Sequence, residues 1–129
     1  MKIDAINPET TRNSPAFSQG MLVTDARKLL FIGGQNAVNA AGEIPEGVTA
    51  QTELALKNVA AVVETAGGHK SDVVKMTIYL VQGVDANEGY AASARAWGPY
   101  PTAISVLFVA ALGNPKFLVE IEAVAAFGA

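Results

Sequence analysis

Two hydrophobic periods run along this chain. Residues 49–66 place Leu56, Val59, Ala60 and Val63 at spacings of three and four, which predicts a helix with one apolar face. Lys57, Asn58 and Glu64 fall mostly on the other side. Gly67-Gly68 marks the end, because glycine accepts the left-handed conformation that closes helices. Residues 73–81 alternate instead: Val74, Met76, Ile78 and Leu80 face one way, and Lys75, Thr77 and Tyr79 the other. That is the signature of a half-buried strand. Residues 117–127 alternate too, with Leu118, Glu120, Glu122 and Val124 on one face and Val119, Ile121, Ala123 and Ala125 on the opposite one. Residues 103–112 are apolar on both faces except for Ser105, and their β-branched and aromatic content predicts a strand buried from both sides.

Shorter signals complete the order. Residues 3–6 read as an edge strand ended by Asn7-Pro8. Residues 13–19 are a polar loop carrying Phe17, and residues 36–47 a second loop. Residues 21–24 and 29–32 read as strands joined by a hairpin turn at Asp25-Ala26-Arg27-Lys28. Asp85 and Glu88 have the spacing of a capping box opening a second helix that runs to about Trp97, before Gly98-Pro99. The sequence β-β-β-α-β-α-β-β predicts an α+β fold: a mostly antiparallel or mixed sheet with two helices on one face. Pro and Gly punctuate the segments and form no linker block, so residues 1–129 are expected to be one domain.

Composition bears first on assembly. Half of the 129 residues are hydrophobic and 16% are charged, more apolar surface than a chain of this size hides alone. Subunit contacts are therefore expected to cover part of it. The net charge of −3 and the absence of any Lys/Arg run disfavour nucleic acid as a partner. With no cysteine and one histidine, disulfides, thiol nucleophiles and zinc sites are excluded or poorly supplied. The opening residues MKIDAINPET lack the apolar core of a secretory signal. The longest apolar stretch is about half of the ~20 residues a spanning helix needs. A cytoplasmic protein without a membrane anchor is the expectation.

Several positions could carry chemistry. Glu120 and Glu122, two residues apart on a strand, point to the same side about 7 Å from one another. Carboxylates in an otherwise apolar strand need water, a cation or a ligand. They serve either as a general acid/base in a cleft or as a solvated face paired with Lys or Arg. Gly33-Gly34-Gln35 follows a strand, where exposed N–H groups could hold an anion, or where a bulge or turn is all that is needed. It is not the G-x-G-x-x-G of a dinucleotide site. Phe17 is either a pocket wall or a hydrophobic plug. His69 reads as a solvated turn residue, and Trp97 as core or subunit contact. The Lys75, Thr77 and Tyr79 face lines a polar space between subunits or meets solvent. Ser18 and Ser105 have no base nearby.

Together these segments resemble the Rid family (YjgF, or endoribonuclease L-PSP) along nearly the whole chain. The resemblance is carried by Phe17-Ser18-Gln19-Gly20, by Ile32-Gly33-Gly34-Gln35, and by the helix from Gln51-Thr52 to Ala66-Gly67. It continues through Asp72-Val73-Val74-Lys75-Met76-Thr77-Ile78-Tyr79-Leu80, Tyr100-Pro101-Thr102 and Val119-Glu120-Ile121-Glu122-Ala123-Val124-Ala125. Order and spacing, more than any one motif, make it specific.

The resemblance implies a chorismate-mutase-like fold and a homotrimer with small-molecule clefts between subunits. It also implies hydrolysis of reactive enamines and imines by water, with no cofactor. The family's water-positioning glutamate falls on Glu120, its N-terminal aromatic on Phe17 where tyrosine is usual, and its glycine on Gly34, flanked by Gly33 and Gln35. The family's arginine should follow Pro101 closely, but Thr102, Ala103, Ile104 and Ser105 stand there. The asparagine usual near the end of the second helix is missing as well, with Tyr90 and Ala91 in that region. A bidentate arginine clamp orients a small acid, and alanine at 103 cannot replace it. Weak 2-imino acid deaminase activity and a less charged or larger ligand are the expectation. A non-catalytic, metabolite-binding or regulatory trimer is the alternative. A single-strand endoribonuclease is the third reading, disfavoured by the acidic balance and the lone His69.

Overall fold

Two glycines with positive φ, Gly47 at +87° and Gly67 at +91°, bracket the first helix, α1 (Val48–Thr65). Its end is a Schellman motif: Gly68 N–H bonds to Val63 O at 2.9 Å and Gly67 N–H to Glu64 O at 3.0 Å. The face expected from the sequence is the one buried, with Leu56, Val59, Ala60 and Val63 all in the core. The computed structural model describes residues 1–128.

The strands are β1 (Lys2–Ile6), β2 (Gly20–Thr24), β3 (Lys28–Asn36), β4 (Val73–Val81), β5 (Ala103–Val109) and β6 (Val119–Phe127). The second helix, α2 (Ala86–Trp97), lies between β4 and β5 in sequence. The main sheet has the order β3-β6-β4-β5, and a separate ribbon pairs β1 with β2. In the main sheet β6 runs antiparallel to both neighbours, and β5 runs parallel to β4. The fold is thus α+β with a mixed, mostly antiparallel sheet. Helix α1 packs on β3 and β6, with α2 beside it. Their core holds Met76, Leu80, Trp97, Val119 and Ile121, which settles Trp97 as a core residue. Among the described residues, no helix is long and apolar enough to cross a membrane.

Four local expectations change. Strands β2 and β3 do not form a hairpin: β2 pairs with β1 and β3 with β6, so the turn at Asp25 (φ +57°) passes from the ribbon to the main sheet. A register shift between Val73 and Lys75 makes Val73, not Val74, the buried residue at the start of β4. Asp85 caps α2 through Asn87 N–H at 2.9 Å, one position earlier than a capping box uses. Strand β5 ends at Val109, and as an edge strand it is not buried on both sides. Val106, Leu107 and Phe108 are 53%, 44% and 51% exposed in the single chain. Sequence pattern reports what a strand needs to hide; it does not say whether its own chain hides it.

One buried polar residue ties the loops to the sheet. Gln51 on α1 donates to Pro45 O at 3.0 Å and to Lys116 O at 2.9 Å, and accepts from Leu118 N–H at 2.8 Å. Replacing it with leucine keeps the volume but orphans three backbone groups. Gln51→Leu is expected to cost about 2 kcal/mol of stability, read by denaturant unfolding.

Candidate functional site

The approach to Glu120 starts in the backbone of β3. Ile32 is in register with Ala123 and Gln35 with Ile121, so Gly33 and Gly34 together stand opposite Glu122. This is a β-bulge, and its extra residue inverts the alternation that follows. Strict alternation from Phe31 would bring Gln35 to the open face of the sheet, away from the helices. Instead Asn36 arrives there, in register with Glu120. Asn36 Nδ2 donates to Glu120 Oε1 at 3.0 Å. Gln35 shares a face with Ile121, and its amide turns back to Gly33 O at 3.0 Å.

Gly34 lies directly against the same carboxylate. A Cβ at Gly34 would stand 2.7 Å from Glu120 Cδ and 3.0 Å from Cγ, and would collide with Oε2. At Gly33 a Cβ would meet nothing within 4 Å. Behind Asn36, the side chain of Asn58 on α1 donates to Asn36 O at 3.0 Å and Val38 O at 3.1 Å. Asn58 is therefore not a solvent-side residue as its helical position suggests; it pins the exit of β3. Glu120 is held by a rigid strand, a backbone wall and a fixed amide, the kind of support a positioned carboxylate requires.

The second acid has a different partner. Tyr79 is in register with Glu120, and its hydroxyl donates to Glu122 Oε1 at 2.5 Å. The carboxylate hydrogen bond pushes the Tyr79 phenol above its ordinary value of 10.0, aided by burial and by the negative charges of Glu122 and Glu120. The pair is thus satisfied by an amide and a phenol, not by Lys or Arg. Because the folded pKa is raised, the stabilisation is complete below about pH 10 and is lost as pH rises through the folded value. A spectrophotometric titration should show a late-ionising tyrosine that disappears in Tyr79→Phe and moves earlier in Glu122→Gln. Farther along the same face Lys75 Nζ donates to Ser105 Oγ at 2.7 Å.

Ala103 and the loop that carries Phe17 lie apart from this acid pair. Ser18 N–H bonds to Thr102 O at 2.9 Å and Ser18 bridges to Ala103, which docks the Phe17 loop on the start of β5. Phe17 is 36% exposed. Ala103 is in register with Lys75, whereas Glu120 is in register with Tyr79 on the other side of β4. Four residues along β4 and two inter-strand spacings put Ala103 and Glu120 about 16 Å apart. One chain therefore does not bring Phe17 and Ala103 to Gly34 and Glu120.

Other candidates are engaged elsewhere. His69 caps the 3₁₀ turn Lys70–Asp72, its Nδ1 accepting from Ser71 N–H at 3.2 Å. Among the described residues no three His, Cys, Asp or Glu side chains cluster to hold a metal. A shallow groove between α1 and α2 is lined by Glu53, Lys57, Lys70 and Arg95, and none of the candidate residues lines it.

The sequence missed Asn36, Asn58 and the Tyr79–Glu122 bond. The one available signal was the Gly-Gly pair in a strand, which marks a bulge and hence a reversal of phase at Asn36.

Comparison with known proteins gives a consistent picture. The family model for Endoribonuclease L-PSP matches residues 10–127. A 2-iminobutanoate/2-iminopropanoate deaminase of Escherichia coli (strain K12) is 39% identical over 75 residues, 54% of this chain and 56% of that protein. The chain thus spans little more than half the length of this curated relative. Among solved structures, YyfB of Yersinia pestis, a protein of the conserved Rid family, superposes with a TM-score of 0.85 at 37% identity, covering 98% of this chain and 100% of its own. Escherichia coli TdcF with bound serine superposes with a TM-score of 0.69 at 32% identity, covering 95% and 90%.

Proposed function

Since the chain belongs to the endoribonuclease L-PSP family, whose solved relatives include Rid proteins, we propose that it is a cytoplasmic homotrimer that hydrolyses a small imine-type metabolite in clefts between subunits. The observation that carries this is the separation of Ala103 from Glu120. Glu120 with Gly34 and Asn36 is one half of a site, and Ala103 with Phe17 is the other. A cleft between two copies is the simplest way to join them. Leu29 and Phe31 on β3, 61% and 74% exposed, and Leu107 on β5 offer the apolar surface such contacts cover.

In this reading Glu120 accepts a proton from water as the water oxygen attacks the C=N carbon. Glu120 passes that proton to the imine nitrogen, giving a neutral carbinolamine, which then collapses: the hydroxyl proton moves to nitrogen by way of Glu120, the C–N bond breaks, the carbonyl forms and ammonia leaves. Water is the only co-reactant, and no cofactor takes part. A second reading, a non-catalytic metabolite-binding trimer, is favoured by Ala103, which removes the orienting arginine. Light scattering together with an assay on an imine generated in situ from an amino acid tests both. A mass three times that of the 13.3 kDa chain and faster release of the carbonyl product are expected. A monomer would end the cleft proposal, and a trimer that binds without turnover would favour the second reading.

A further inference from the structure

We propose that Asn58 on α1 is a positioning residue for the Glu120 carboxylate, acting through Asn36 without touching the acid itself. The proposal rests on the reading of Glu120 as the base and says what keeps that base in place.

Asn36 stands where a sheet is weakest. It is the last residue of β3, an edge strand paired on one side only, with β6. Residues 37–47 beyond it belong to no helix or strand. Strand ends of this kind fray first, and an amide on a fraying end does not hold a carboxylate at one distance. Yet Asn36 Nδ2 meets Glu120 Oε1 at 3.0 Å. A restraint from outside the sheet is needed.

Asn58 supplies it. Its Nδ2 carries two hydrogens, and two carbonyls receive them, Asn36 O at 3.0 Å and Val38 O at 3.1 Å. Val38 N–H returns to Asn36 O at 2.9 Å, so the chain closes a three-residue turn on the same point. Ala37, inside the turn, is fully buried. The turn fixes the direction in which the Asn36 side chain leaves the backbone, and with it the place of the amide that Glu120 accepts from. The helix behind Asn58 is itself anchored, since Val59 and Val63 are fully buried in the core. Gln51, seven residues earlier and so on the same stripe of α1, bonds to Lys116 O and Leu118 N–H just ahead of Glu120. Two carboxamides on one helix thus grip the backbone of both strands that bring Asn36 and Glu120 together. The contacts of Gln51 end in backbone, whereas the route from Asn58 ends in the partner of the acid. Supporting groups of this kind set the precision of a site without entering its chemistry.

Steady-state rates of the full-length protein on the imine of alanine, generated in situ by an amino-acid oxidase, test this beside thermal melts. Asn58→Ala is expected to lower kcat about tenfold with KM unchanged, as a slightly misplaced base requires. In an Asn36→Ala background, where the amide that carries the effect is gone, the same substitution should cost less than about twofold. Val63→Ala, a core deletion on the same helix away from the turn, should lower the melting temperature and leave kcat at the native value. Should the alanine variant not fold, Asn58→Ser, which keeps one hydroxyl donor and leaves a smaller gap, carries the same cycle with an expected loss of about threefold. A native kcat in the Asn58 variant that folds, a loss confined to KM, an equal loss with and without Asn36, or a matching loss in Val63→Ala would overturn the proposal while leaving Glu120 as the base. A native rate in Glu120→Gln, or no turnover by the native protein, would defeat that reading and the proposal with it.

Discussion

Glu120→Gln is expected to lower turnover by about a hundredfold or more, the usual contribution of a positioned general base, while the fold and assembly stay intact. The substitution is nearly isosteric. Its amide oxygen can still accept from Asn36 Nδ2, and its size keeps the contact with Gly34. What is lost is the capacity to take a proton from water. Removing one of two like charges on the same strand face also leaves stability unchanged or slightly higher. Glu122→Gln is the matched control. Its partner is the Tyr79 hydroxyl, and the expected loss is less than about tenfold, within the range of one perturbed neighbouring hydrogen bond. Initial rates for both variants beside thermal melts separate chemistry from folding. Equal losses in the two would mean that the pair acts as a unit, and a native rate in Glu120→Gln would move the chemistry elsewhere.

The difference between these two carboxylates was only half legible in the sequence. Alternation along residues 117–127 put Glu120 and Glu122 on one face, and helical spacing found the buried side of α1, because both depend on neighbours close in sequence. What distinguishes the acids comes from other strands. Tyr79, opposite Glu120 on β4, reaches diagonally to Glu122, and Asn36 meets Glu120 because a bulge at Gly33-Gly34 reverses the phase of β3. Simple alternation from Phe31 points to Gln35, one residue too early. The distance between Phe17 with Ala103 and Gly34 with Glu120 was hidden for the same reason. It follows from strand order, with β5 and β6 on opposite sides of β4, and periodicity carries no strand order. The β2–β3 turn gives the converse case: its residues are those of a hairpin, yet pairing goes to β1 and β6, since a turn signal does not choose the partner.

The bulge makes the second large effect specific to one of two adjacent glycines. Gly34→Ala is expected to cost about a hundredfold in turnover, and Gly33→Ala next to nothing. Neither glycine has a positive φ, so alanine is not strained by backbone conformation at either position. At 33 the new methyl enters open space; at 34 it enters the volume of the Glu120 carboxylate. The obstructing atoms are the end of a flexible side chain, which can rotate away, so the expected stability loss at 34 is under about 1 kcal/mol. The rotation is what damages function. It breaks the bond to Asn36 Nδ2 and moves the base by about 1 Å or more, a displacement that alone costs about two orders of magnitude in rate. A double-mutant cycle isolates this cause. If alanine at 34 acts only by displacing the carboxylate, then adding it to Glu120→Gln should cost little beyond Glu120→Gln alone. Additive losses would show that the backbone at Gly34 contributes to the reaction through its own N–H or carbonyl, independently of the acid it touches.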